Sequence, residues 1–211
     1  MSFVTKIRRY AEHRYRRFRL SRQSSYSFSG INLGSGPQQI SDCLAIDFHL
    51  GADLYLDLRY DNLPFTDGSL DFVVCISAIN YVTHARACDI VAQIHRVLRK
   101  GGVARFAVQD LKLIARKYVE RDTDFFGQTL PDGSPRFPGE TLGDKFNYWF
   151  YGHPIRGSGC KYLYDYEALA AIFHRAGFTC VENRPFMGSR LAQIAQIDNR
   201  EDQMFFLEAV K

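Results

Sequence analysis

The stretch Gly30–Phe48 reads G-I-N-L-G-S-G-P-Q-Q-I-S-D-C-L-A-I-D-F. A short apolar run enters a glycine turn at Gly34, Ser35 and Gly36, and a second apolar run ends on Asp47. Asp57 and Leu58 follow a third short run, and Ser77 and Ala78 follow a fourth. Glycines that let backbone approach a ligand, followed by an acid at the end of the next strand, form a nucleoside-binding pattern. A dinucleotide site needs G-x-G-x-x-G, a helix whose N-terminus meets the pyrophosphate, and an acid about 20 residues on. Here Gln39 stands in the third glycine position, and Pro37–Cys43 leaves space for a turn or two of helix at most. A phosphate would lack the positive helix end. No G-K-[ST] follows, so a P-loop is excluded.

A ligand with ribose and adenine but no phosphate does not need that helix, and S-adenosylmethionine is such a ligand. Backbone at the glycine turn can hold its amino-acid end. Asp47 can accept from the ribose hydroxyls, and Asp57 from the adenine amine. Methyl transfer from a sulfonium asks mainly for alignment and exclusion of water. A general base is needed where the acceptor is a protonated hydroxyl or amine. Asp110, His84 and His153 are the candidates, with His153 in Y-G-H-P favoured as base and Asp110 second. His84 reads more simply as part of the first turn of a helix, and Asp110 equally as a helix cap. The six histidines are dispersed without metal-ligand spacing, so no metal is expected.

The elements that must position these residues alternate. Apolar runs at Ile31–Leu33, Cys43–Phe48, Asp53–Leu58, Asp71–Ala78 and Val103–Val108 are expected as strands. Thr83–Lys100 is expected as a helix with Thr83 as N-cap and Gly101–Gly102 as its stop. Leu111–Glu120 is expected as the next helix. A further helix runs from Asp165 to about Ala176, with Gly177 as its stop, and strands at Phe178–Asn183 and Met204–Val210 close the chain. The fold class is therefore α/β, a doubly wound Rossmann-like, mostly parallel sheet. In such a sheet Gly34–Gly36, Asp47, Asp57, Ser77–Tyr81 and Gln109–Asp110 gather at the carboxyl ends of the strands. Residues 121–163 break the rhythm. They are rich in Gly, Pro and aromatics, and read as an ordered insertion covering the site.

Residues 31–111 resemble the core of the class I S-adenosylmethionine-dependent methyltransferases, particularly the type 11 group. I-N-L-G-S-G is similar to that family's L-N-L-G-C-G, and I-D-F to the acid after its second strand. L-P-F-T-D-G-S-L-D-F-V-V resembles L-P-F-x-D-x-S-F-D-x-V, and H-R-V-L-R-K-G-G its helix and double glycine. The tail, A-G-F-x-x-V and E-A-V-K, is similar to a bacterial branch with a short first crossover. The resemblance implies Gly34 and Gly36 as the cofactor loop, Asp47 as the ribose acid, Asp57–Leu58 at the adenine and Ser77–Ile79 near the methionine end. It also implies transfer of a methyl group to a small-molecule acceptor of sugar or secondary-metabolite type. One departure stands out: after the fourth strand the family's H-V-L-E-H-like stretch is replaced by A-I-N-Y-V. A cofactor-binding protein without turnover and a nicotinamide enzyme on a related sheet are the alternatives.

Composition sets the outer limits. The 211 residues are 46% hydrophobic and 24% charged, enough for one domain with a sizeable core. The first 22 residues hold eight of the 27 Lys/Arg and one of the 23 Asp/Glu, so the remainder is acidic by three. Residues 1–29 read as a basic helical arm and linker, and 30–211 as the domain that carries the insertion. The arm has Phe3, Ile7, Tyr10, Ala11, Arg14 and Phe18 at helical spacing. It is expected to pack by its aromatics; a lid, an anionic or membrane contact, and a homodimer contact are alternatives. The acidic body argues against nucleic acid. No apolar run has membrane-spanning length and no signal peptide is present, so a cytoplasmic location is the default. Five cysteines without C-x-x-C spacing read as small hydrophobes in a reducing compartment.

Overall fold

A computed structural model describes residues 3–22, 26–49, 51–152 and 159–211. Seven strands form one sheet: β1 (Gly30–Leu33), β2 (Cys43–Asp47), β3 (Leu54–Tyr55), β4 (Leu70–Ile76), β5 (Leu98–Gln109), β6 (Cys180–Arg184) and β7 (Met204–Val210). Their order is β3-β2-β1-β4-β5-β7-β6. Strands β1 to β5 run parallel, and β7 is antiparallel to both β5 and β6. The helices are α1 (Phe3–Leu20), α2 (His84–Val97), α3 (Leu111–Val119), α4 (Thr123–Phe126), α5 (Leu142–Tyr151), α6 (Tyr166–Arg175) and α7 (Ile194–Ile197).

The pleat sends alternate residues to opposite faces. On one face Ile31, Leu33, Val73, Cys75, Ala104 and Phe106 join a core with Ile90 and Ile94 of α2 and Leu169 and Phe173 of α6. The other face has Phe72, Val74, Ile76, Ala107 and Phe206. Among the described residues no helix links β1 to β2 or β2 to β3, and that second face is covered by Phe186, Leu191, Ile194 and Ile197 from the β6–β7 connection. The connection is tied down in two places. Gln38 Nε2 donates to the carbonyls of Gln196 and Ile197 at 2.6 and 3.0 Å, and the Ser41 amide donates to Gln196 Oε1 at 2.7 Å. Arg105, in mid-β5 and wholly buried, donates to Asp198 through Nε at 3.1 Å and Nη2 at 2.5 Å. Its Nη1 donates to the Gly188 carbonyl at 3.1 Å and lies 3.8 Å from Glu208.

Helix α1 lies along the open edge of β3. His13 Nδ1 accepts the Tyr55 amide at 3.1 Å, and Arg17 Nε donates to the Tyr55 carbonyl at 3.1 Å. Arg17 also forks onto Asp61 at 2.9 and 2.5 Å. The arm thereby satisfies backbone groups that an edge strand leaves open.

Two expectations about local structure need correction. Gly101–Gly102 do not cap a helix: α2 ends at Val97, and Leu98 already pairs with Leu70 in the sheet. The next pair is Phe72 with Val103, so Arg99–Gly102 bulge out of the ladder, and Gly101 takes φ +76° at the turn. Leu98 is wholly buried, and that burial draws the chain into the strand before the glycines are reached. Residues 121–163 are also more regular than they read. They hold α4 and α5, the latter opened by a capping box between Thr141 and Asp144. Phe125, Phe126, Phe137 and Phe150 form a small core there with Ile114 of α3. All five cysteines are free, with Cys75 buried and the others half-buried.

Candidate functional site

The carboxyl ends of β1, β2 and β4 meet at the glycine turn. Gly34 takes φ +66° and donates its amide to the Ile46 carbonyl at 2.9 Å. A Cβ there would lie 2.3 Å from the Ala78 Cβ, so this turn and the end of β4 close on each other only with glycine. Gly36 also has a positive φ, and no atom lies within 4 Å of where its Cβ would be, so the space beside the turn is open. Buried Asp47, the last residue of β2, accepts the Gly36 amide on Oδ2 at 2.9 Å. His49 supports the turn from behind. Its Nδ1 accepts the Gly51 amide at 3.1 Å, so the neutral ring's proton sits on Nε2, 3.4 Å from the Gly36 carbonyl. Ser77, just past β4, is held at φ +54°, a conformation non-glycine residues adopt at a cost and mostly at functional sites. Its hydroxyl accepts from Gln109 Nε2 at 2.8 Å and Arg200 Nη2 at 3.0 Å.

Two chambers open on this edge. The smaller, about 80 Å³, is walled by Asp47, Phe48, Asp57, Leu58, Arg59 and Val82 among others. The larger, about 780 Å³, is walled by the glycine turn, by Gln109, and by Phe137, Trp149 and Phe150 from the aromatic segment. Gly34, Ser77 and Tyr81 line both, so the chambers meet at these three residues.

The structure thus brings Gly34, Ser35, Gly36, Asp47, Asp57, Leu58, Ser77 and Ala78 to the walls of one or the other chamber. Asp57 is engaged with Arg59, whose Nε and Nη2 reach its oxygens at 2.9 and 2.6 Å, and whose guanidinium lies 5.5 Å from the Phe48 ring centre. That pairing raises the pKa of Arg59, so the fork stays charged. Asp110 lies elsewhere: its carboxylate accepts the Lys112 amide at 2.9 Å as the N-cap of α3, and it lines neither chamber. His84 begins α2 with its ring 4.7 Å from that of Tyr162. His153 lies outside the described residues.

The altered A-I-N-Y-V stretch has a structural role. Ile79–Tyr81 make one 3-10 turn, and Asn80 is wholly buried. The Asn80 carbonyl accepts the amides of Lys161 and Tyr162 at 2.7 and 3.2 Å, which ties the aromatic segment's end to the sheet.

Sequence reasoning missed Arg136, Arg200, Asn199 and Gln203, all in the wall of the larger chamber. The last three belong to the β6–β7 connection, where no residue pattern announces a site. Among the described lining residues of that chamber, the ionisable groups are Tyr81, Arg136, Cys160 and Arg200. Burial pushes the Cys160 thiol up to about 11. Burial, then Cys160, raises Tyr81 as well. Neither group is a base at neutral pH.

The donor set fits an adenosyl amino acid better than a dinucleotide. No helix follows the glycine turn, so no helix N-terminus faces a pyrophosphate. Asp47 could accept from ribose hydroxyls, and apolar Phe48, Leu56, Leu58 and Val82 line the same chamber, where a flat ring could lie. Gln109 Oε1, a buried acceptor without a partner among the described residues, belongs to the larger chamber's wall, and an ammonium group would satisfy it.

Residues 32–106, a little over a third of the chain, match a family model described as a methyltransferase domain. No curated protein matches the sequence. An S-adenosylmethionine-dependent methyltransferase from Thermotoga maritima is 17% identical over 99% of this chain and 96% of its own, with a TM-score of 0.48. One from Mesorhizobium loti is 15% identical over 94% and 98%, at 0.49. One from Archaeoglobus fulgidus is 12% identical over 98% and 94%, at 0.50. At such identities the likeness is one of fold, and of the three the last carries it.

Proposed function

We propose that this chain, whose residues 32–106 match a methyltransferase domain, binds S-adenosylmethionine across the two chambers and methylates a small molecule held in the larger one. The observation that carries this is the junction at Gly34, Ser77 and Tyr81, with Asp47 on one side and the aromatic wall on the other. Bound there, the cofactor would supply a methyl group on a sulfonium, from which the neutral thioether of S-adenosylhomocysteine leaves without activation by the protein. The chain's own task is alignment and exclusion of water. Gly34 and Gly36 keep the turn free of side chains so that a ligand can approach it, Asp47 offers a carboxylate, and Phe137, Trp149 and Phe150 give the acceptor an apolar wall. We assign the general base, where the acceptor needs one, to His153, and leave Asp110 to its capping role.

Calorimetric titration with S-adenosylhomocysteine tests the reading. Two ribose hydroxyls on a carboxylate are worth about 1.5–3 kcal/mol per bond, so Asp47→Ala weakens binding by about a hundredfold or more. Unchanged affinity in a variant that melts like the parent refutes the assignment of Asp47. NAD(H) binding in place of S-adenosylhomocysteine overturns the whole reading.

A further inference from the structure

Arg136 and Arg200 enter the larger chamber from different parts of the chain. Arg136 comes from the aromatic segment. Its Nη1 donates to Gln128 Oε1 at 2.6 Å, and its guanidinium lies 5.7 Å from the Phe137 ring centre. Arg200 comes from the β6–β7 connection in a left-handed conformation, φ +56°. Its Nε donates to Asn199 Oδ1 at 2.8 Å and its Nη2 to Ser77 Oγ, while Nη1 has no acceptor among the described residues.

No Asp or Glu is among the residues lining this chamber. Asp202 touches Arg136 Nη1 at 3.4 Å, but it is half exposed and outside that wall. Burial and then the neighbouring Arg136 charge lower the pKa of Arg200, so the two cations feel each other. Arg200 has no carboxylate partner among the described residues, unlike buried Arg105 on Asp198, and Arg136 pairs only with the half-exposed Asp202 at 3.4 Å. Two guanidiniums left facing one cavity, beside Phe137, Trp149 and Phe150, have the chemistry of a receptor for a flat molecule bearing an anion. The planar fork of arginine matches a carboxylate in particular.

We propose that the larger chamber takes a planar acceptor that carries a carboxylate, bound by Arg136 and Arg200 against the aromatic wall. The identification as an acceptor rests on the methyl-transfer reading; the preference for the anion does not.

The test is calorimetry on the full chain with 4-hydroxybenzoate and its neutral isostere 4-hydroxybenzamide, each with and without saturating S-adenosylhomocysteine. The parent, Arg136→Gln, Arg200→Gln and the double variant are compared, with melting curves to confirm folding. The expected result is a preference for the carboxylate of about tenfold in the parent, smaller in each single variant and lost in the double. Affinity for S-adenosylhomocysteine stays within about threefold in all four proteins, a shift of less than a kcal/mol. Equal binding of the two probes, binding of neither, or a preference that survives in the double variant overturns the proposal. So does a matching loss of S-adenosylhomocysteine affinity in both single variants, which would give the guanidiniums to the cofactor's own carboxylate. If the parent binds 4-hydroxybenzoate selectively but not S-adenosylhomocysteine, the anion site stands and the methyl-transfer reading falls.

Discussion

Replacing Arg105 by Met tests how the second face of the sheet is closed. The Arg105 side chain is wholly buried and makes two bonds to Asp198, whose side chain is equally buried. It also donates to the carbonyls of Gly188 and Pro185 at 3.1 and 3.4 Å. In Arg105→Met the Asp198 carboxylate keeps the Met187 amide at 2.8 Å as a donor but loses its counter-charge. Glu208 suffers less, because Arg190 Nη1 at 2.9 Å and the Ser189 hydroxyl remain on it. Breaking a buried pair from one side costs about 3–5 kcal/mol. At about 2–4 °C per kcal/mol for a domain of this size, the melting temperature falls by about 6–20 °C. Adding Asp198→Leu removes the stranded charge, and the double variant recovers most of the loss, because an apolar replacement of a buried pair is close to neutral. Thermal melts of the parent, both single variants and the double complete the cycle. A single Arg105→Met variant within about 2 °C of the parent, a shift of 1 kcal/mol or less, refutes the reasoning. So does a double variant no more stable than Arg105→Met.

Two further outcomes follow from groups away from the chambers. Burial alone would raise the pKa of Asp61, but bonds from Arg17 and the Asp57 amide outweigh it and hold the carboxyl below its usual range. The depressed folded-state pKa means its contribution is full above the unfolded value of about 3.9 and is lost as pH falls through the folded value. The pair is partly open to water and is worth about 1 kcal/mol at most. Parent and Asp61→Asn should therefore differ in melting temperature by a constant amount above about pH 5 and converge toward pH 2; a gap that persists at the acid end contradicts the role of Arg17. Asn32, buried in mid-β1, has no partner among the described residues for either side-chain polar atom. Asn32→Val should raise stability by about 1 kcal/mol in urea melts, and a clear loss instead would mean that a bound water or ligand satisfies the amide.

The parallel core was legible because its signals are local. Continuous apolar runs gave the strands, and the spacing of Gly34, Gly36, Asp47 and Asp57 gave the edge on which they meet. Helix starts at Thr83 and Asp165 were readable from capping residues, and both side chains do cap. The same signal lay unread at Thr141-Leu-Gly-Asp144, where a capping box opens a helix inside what looked like an irregular cover. Gly101–Gly102 misled because a left-handed glycine serves a bulge as well as a helix stop, and the burial of Leu98 decides between them. Arg105 sits in V-A-R-F-A-V, a charge in a run that otherwise reads as core. Its partner is 93 residues away, beyond any local pattern. Arg200 escaped for the same reason: nothing near it in sequence shows that its guanidinium reaches Ser77.

These omissions have one structural origin. A short first crossover leaves the second face of the sheet without a helix between β1 and β2. The uncovered apolar strip must be closed by something, and the β6–β7 connection closes it with Phe186, Leu191, Ile194 and Ile197. Once held there by Asp198 on Arg105 and by Gln38, the chain from Asn199 to Gln203 has only one way back to β7, across the carboxyl edge of the sheet. It thus contributes Asn199, Arg200 and Gln203 to the larger chamber. The shortened loop that holds no phosphate and the arginine that gives the chamber its charge are two consequences of the same missing helix.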